Sequence, residues 1–142
     1  MDLGLSGKVA IVTGASRGLG RATAEALLAE GALVLAVARA SAELQALEAA
    51  HPGRCSTVAG DLLDAALPQS VVDTALARFG RLDIAVVNTP GPRPLLPLEA
   101  TDADFAAAFA AAFYPGVRLI QAARVPMSER GWGRTSSSRR PA

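Results

Sequence analysis

Residues Thr13 to Gly20 read T-G-A-S-R-G-L-G and follow directly on the apolar run Val9-Ala10-Ile11-Val12. A glycine-rich turn between a buried strand and a helix brings main-chain amides against a phosphate. The first N–H groups of the helix have no intrahelical partner, and the positive end of its dipole faces the ligand. Gly14 permits the tight turn. Gly18 and Gly20 let the backbone approach a diphosphate and let helix pack on strand, while Ser16, Arg17 and Leu19 fill the turn between them. A plain strand-to-helix turn with glycine caps would also account for these glycines taken alone.

The elements that must position this turn follow from periodicity. Short apolar runs at Lys8–Thr13, Ala32–Ala38, Cys55–Ala59 and Leu82–Val87 read as strands one to four. Between them, Leu19–Glu30, Ser41–Ala50 and Asp64–Phe79 read as helices, closed by Gly31, by His51-Pro52-Gly53 and by Gly80. Ser41 is the expected N-cap of the second helix. Asn88–Pro97 is a proline-rich loop, and Thr101–Arg124 is a long helix capped by Thr101 or Asp102 and disturbed at Pro115-Gly116. Buried strands alternating with helices predict an α/β fold with a doubly wound parallel sheet. Right-handed crossovers then put the glycine turn at the carboxyl end of strand one, where such sheets bind ligands.

Composition bounds the rest. One domain is the natural count for 142 residues, half of them apolar. The net charge of +1 gives no global case for nucleic acid, and Arg139-Arg140 is too short a basic run to make one. Cys55 is the single cysteine, so no internal disulfide forms and no metal-ligand spacing exists. The first residues lack the blocks of a signal peptide, and no apolar stretch reads as a membrane span. A cytoplasmic setting is the expectation.

At this point T-G-A-S-R-G-L-G resembles the cofactor turn of the short-chain dehydrogenase/reductase family, with a flavour of its 3-oxoacyl-carrier-protein reductase-like members. Asp61-Leu62 after strand three resembles the family's acidic position against the adenine ring. Asn88-Thr89-Pro90-Gly91 resembles its Asn-Asn-Ala-Gly segment, and G-W-G-R-T-S-S-S resembles the approach to its catalytic serine, which would make Ser136 the match. The resemblance implies a Rossmann-like fold, here incomplete with about four strands, over residues 1–130. Residues 131–142 are expected to be a polar, disordered tail. It also implies a nicotinamide dinucleotide as ligand, held by Gly14, Ser16, Arg17, Gly18, Leu19, Gly20, Arg39, Asp61, Leu62, Asn88 and Gly91. Asp61 also reads as an ordinary cap, and Asn88 as a turn former.

Cofactor preference is open to a physical argument. A free ribose 2′-hydroxyl is usually met by a carboxylate at the end of strand two. Here that region reads Val37-Ala38-Arg39-Ala40. Arg39 and Arg17 suit a 2′-phosphate, since guanidinium matches phosphate geometry; NADP(H) is therefore favoured over NAD(H). Solvated surface arginines are the alternative.

Enzymes of the resembled family use a tyrosine as acid/base, a lysine four residues later and a serine. A phenol of pKa near ~10 needs such a cation to act near neutrality. The single tyrosine, Tyr114, precedes the serine segment and is followed by Arg118, so it is expected to pack rather than react. Strand five reads as deleted. That leaves an edge of strand four open, and the helix of residues 102–124 presents Phe105, Phe109, Phe113 and Leu119 uncovered, for self-association or a complementing chain. Three readings stand: the cofactor-binding half of an oxidoreductase, a non-catalytic dinucleotide module, or a decayed fragment.

Overall fold

Strand β1 (Val9–Thr13) is apolar on both sides because it lies in the middle of the sheet, and all five of its residues are buried. The computed structural model describes residues 2–89, 91 and 93–139. Successive side chains of a strand point to opposite faces. Val9 and Ile11 accordingly join one core with Leu35, Val37, Val71, Ala75, Leu119 and Ala123. Ala10 and Val12 join a second core with Ala24, Leu28, Val34, Ala36, Leu44 and Leu47. Helices α1 (Gly18–Ala29) and α2 (Ser41–Ala50) cover the second face, and α3 (Leu67–Phe79) and α4 (Asp102–Glu129) the first. With β2 (Leu33–Ala38), β3 (Cys55–Ala59), β4 (Ile84–Thr89) and β5 (Arg134–Arg139), the sheet order is β3-β2-β1-β4-β5, every pair parallel. This is the doubly wound α/β fold that the alternation of elements predicts, with one strand more than expected.

That fifth strand corrects the expected tail. Residues Arg134–Arg139 pair with all of β4, from Ile84↔Arg134 to Thr89↔Arg139. The edge of β4 is therefore closed, and β5 forms the outer edge. No apolar pattern announces it, and Arg134 to Ser137 are exposed. What holds it is main-chain pairing and the anchor at its start. The Arg134 N–H donates to the Asp83 carbonyl at 2.9 Å. The Trp132 ring lies under the Lys8 ammonium, 4.0 Å from its centroid, with the Arg134 guanidinium at 5.9 Å. Residues 140–142 of the expected tail lie outside the described residues.

Other boundaries shift for local reasons. α3 starts at Leu67 rather than Asp64. Two turns precede it, in which Asp61 Oδ1 accepts the Leu63 N–H at 3.0 Å and Asp64 Oδ1 the Ala66 N–H at 2.9 Å. Pro68 then sits in the first helical turn, where its missing N–H costs nothing. The N-cap of α2 is Ala40, not Ser41, which is already helical. Strand four begins two residues later than expected, at Ile84, with Leu82 and Asp83 buried just before it.

α4 opens with a capping box in which Thr101 Oγ1 accepts the Asp104 N–H and Asp104 Oδ2 accepts the Thr101 N–H. It then continues through buried Pro115 and Pro126 to Glu129, five residues past the expected end. By length and composition α4 would suffice to cross a bilayer, contrary to the sequence reading. Its buried residues instead pack onto the sheet core. Phe105, Phe109 and Phe113 are exposed as expected, at 60%, 59% and 46%; Leu119 is not, being sealed at 1%.

A buried carboxylate pins the amino end of the sheet. Asp83 has no exposed surface. Its Oδ2 accepts the Val9 N–H at 2.9 Å and the Arg81 Nε–H at 2.7 Å, and its Oδ1 accepts Arg81 Nη2 at 2.6 Å. Burial alone would raise this carboxyl. The Arg81 hydrogen bonds, the Val9 N–H and the charges of Arg81 and Lys8 outweigh it and hold the group below the ordinary carboxylate range. The linked stability is present above the unfolded pKa of ~3.9 and is lost as pH falls through the folded one. Asp83→Asn should cost about 2–3 kcal/mol in urea unfolding at pH 7, less than a fully buried pair because Arg81 can return to water. The variant's urea midpoint should also fall less than the wild type's on acidification below pH ~4.

Candidate cofactor site

The carboxyl ends of β1, β2 and β4 open into one cleft of ≈ 450 Å³, lined by the first turn, the ends of β2 and β3, and Asn88-Thr89 of β4. Its floor is set by close main-chain approach. Gly14 and Gly18 hold φ of +62° and +59°, a region that side-chain-bearing residues rarely adopt. A Cβ on Gly14 would stand 2.7 Å from both the Nδ2 and the main-chain oxygen of Asn88. A Cβ on Gly20 would collide with the Gly14 carbonyl and lie 2.8 Å from Asn88 Nδ2.

Two further ties fix the turn. Thr13 Oγ1 accepts the Asn88 N–H at 2.8 Å and donates to the Asn88 carbonyl at 3.1 Å, joining β1 to β4. The Ala15 N–H donates to the Val37 carbonyl at 3.1 Å, joining the turn to β2.

The groups left unsatisfied point to a ligand. α1 begins at Gly18 behind Arg17, an extended N-cap without any side-chain cap bond, so the first helical amides remain available to an anion. Asn88 is 3% exposed, and its Oδ1 is buried with no hydrogen-bond partner among the described residues. A buried acceptor left alone is costly, and this one belongs to a residue that lines the cleft wall.

Seven of the residues singled out from the sequence line this cleft: Gly14, Ser16, Arg17, Arg39, Asp61, Leu62 and Asn88. Gly18, Leu19 and Gly20 form the first turn of α1 behind it. Gly91 does not line it, and Pro90 of the same segment lies outside the described residues. Ser136 stands on β5 opposite Val86, two positions before the level of Asn88, which pairs with Ser138. Asp61 lines the cleft and also braces its own turn. Tyr114 lies outside the cleft, edge-on to Phe113 at 5.8 Å and with the Arg118 guanidinium 5.3 Å from its ring; at 45% exposure it stands on the surface rather than packing in the core as expected.

Ala38, Ala40, Glu43, Gly60 and Thr89 also line the cleft and were missed. Gly60 carried a signal, a glycine between strand three and Asp61; a Cβ there would sit 2.6 Å from Leu67 Cδ1. Glu43 carried none. Its place on the cleft wall depends on how α2 packs against β2 and β3.

The short chain dehydrogenase family model matches residues 8–136, and the chain belongs to that family. It is 38% identical over 136 residues to 1,6-dihydroxycyclohexa-2,4-diene-1-carboxylate dehydrogenase of Pseudomonas putida, covering 94% of this chain and 50% of the relative. It is 46% identical over 88 residues to L-xylulose reductase of Mesocricetus auratus, covering 62% and 34%. A short-chain dehydrogenase structure from Streptomyces avermitilis superposes with a TM-score of 0.84 at 36% identity, covering 92% of this chain and 48% of that one. The chain thus spans about half the length, or less, of these relatives. The family implies NAD(P) as cofactor, and the glycine cradle, the uncapped α1 amides and the lone Asn88 acceptor fit such a molecule.

Gly20→Ala should cost about 1–3 kcal/mol through overpacking against the Gly14 carbonyl, read as a lowered urea midpoint. Gly53→Ala serves as the comparison. A Cβ there meets nothing within 4 Å, although its φ of +75° strains any side chain.

Proposed function

We propose that this chain binds NADP(H) as the cofactor-holding half of a short-chain oxidoreductase and does not convert substrate by itself. The observation that carries the reading is the close approach of Gly14 and Gly20 to a buried Asn88 whose Oδ1 lacks a partner among the described residues, with Gly18 at positive φ opening α1. The diphosphate would rest on the α1 amides and Ser16. The adenine would lie against Asp61 and Leu62, and the 2′-phosphate between Arg17 and Arg39. When bound, the reduced cofactor supplies hydride for a small carbonyl compound. Acid/base work then needs a tuned phenol or its equivalent in the cleft, and Tyr114 is not there. A dinucleotide-binding module is the second reading.

Ser136 is the residue of this chain offered to a substrate oxygen in the first reading. It pairs in register with Val86, and neither residue lines the cleft. A cytoplasmic setting belongs to the same proposal. The lone thiol of Cys55 is pushed up to about 11, chiefly by burial and further by the Glu48 charge, and is inert in a core.

Calorimetric titration with NADPH tests the reading: a saturable one-to-one complex without oxidation of the nicotinamide is expected. No complex with folded protein would overturn it and leave the decayed fragment. Arg39→Asp should weaken NADPH binding about tenfold or more, the loss of one charge-assisted contact replaced by repulsion, while leaving NADH binding intact. An unchanged preference would remove Arg39 from the site.

Self-association is the partner we propose, through α4 rather than through β4, whose edges are both paired. Phe109 stacks on Phe113 at 5.1 Å, and both stand open to solvent beside Phe105. Sedimentation should show a concentration-dependent dimer for the wild type and a monomer for Phe109→Glu.

A further inference from the structure

The cleft is not the purely cationic pocket that a 2′-phosphate would favour. Two basic residues, Arg17 and Arg39, and two acidic ones, Glu43 and Asp61, are among the residues that line it. The carboxylates differ in what they already do. Asp61 is committed to its turn through the Leu63 N–H. Glu43 forms no ion pair among the described residues.

Its main chain, by contrast, is fixed. Arg21 Nη1 donates to the Glu43 carbonyl at 3.0 Å, and the same guanidinium is held by Glu25 at 2.6 Å. Arg21 therefore braces α2 against α1 while its charge is spent on Glu25. Glu43 also stands in the first turn of a helix whose N-cap, Ala40, has no side-chain cap bond. That helix end is the natural seat for an anion, and Glu43 already places a negative charge there.

We infer that Glu43 limits the cleft's preference for NADP(H), repelling the 2′-phosphate that Arg17 and Arg39 attract and competing with it for the amino end of α2. The inference rests on the NADP(H) reading above and adds to it a specificity-determining residue outside the strand-two position where such discrimination is normally sought. A phosphate monoester carries close to two negative charges at neutral pH, so a nearby carboxylate repels NADP(H), whereas the uncharged 2′-hydroxyl of NADH gives it nothing to repel. The effect is electrostatic in an open cleft and shrinks with added salt.

The test is titration of wild type, Glu43→Gln and Glu43→Asp with NADPH and with NADH at low and high salt. Glu43→Gln should bind NADPH about three- to tenfold more tightly at low salt, with NADH within about twofold of wild type, and the NADPH gain should shrink at high salt. Glu43→Asp keeps the charge and should stay near wild type. Unchanged NADPH affinity in Glu43→Gln, or an equal change for both cofactors, would overturn the inference while leaving the cofactor reading intact. Weakened NADH binding would also overturn it, since Glu43 would then hold the ribose hydroxyl. Failure of the wild type to bind either dinucleotide would instead sink the cofactor reading, and this inference with it.

Discussion

The structure depends on how closely three stretches of main chain can approach at the carboxyl end of the sheet. Gly14, Gly20 and Asn88 come so near one another that no side-chain atom fits between them. The Thr13 hydroxyl, used once as donor and once as acceptor, holds β1 and β4 at that separation. Hydrophobic burial drives the sheet together, but it is non-directional. These few polar and steric contacts turn a buried sheet end into a shaped cleft. They also leave the Asn88 side-chain oxygen without a partner. A fold rarely keeps such an atom buried unless something else meets it.

The opposite end of the sheet solves a different problem. Asp83 is taken wholly out of water yet kept charged, because Arg81 and the Val9 N–H occupy its oxygens. The same residue's carbonyl receives the first amide of β5. One short segment thus ties the starts of β1, β4 and β5, and the Lys8–Trp132 stack lies beside it. This explains how a strand of arginine, threonine and serine can form at all. Its position is dictated by main-chain bonds and by one aromatic anchor, not by its own side chains.

What was legible in the sequence follows from the same distinction. Positions at strand ends in the first four strands, such as Gly14, Arg39, Asp61 and Asn88, could be read because strand ends are marked by a change from apolar to turn-forming residues. The buried α4 residue Leu119 and the exposed Phe105, Phe109 and Phe113 sit in one alanine-rich stretch with too little contrast to show which face meets the sheet. β5 was invisible because it carries no apolar pattern. Glu43 was invisible because its role depends on the packing of α1, α2 and β2, which no local spacing encodes. Family membership was legible from short motifs, and the chain spans about half the length, or less, of the relatives it matches.

The most direct measurement is two-dimensional amide NMR of the isotope-labelled chain during titration with reduced dinucleotide. Saturable shifts at the amides of residues 14 to 20, together with the Asn88 side-chain amide, and little change at β5, are what a diphosphate seated on the α1 turn predicts. Shifts that never saturate, or that fall elsewhere while the Gly14–Gly20 amides stay still, would contradict it.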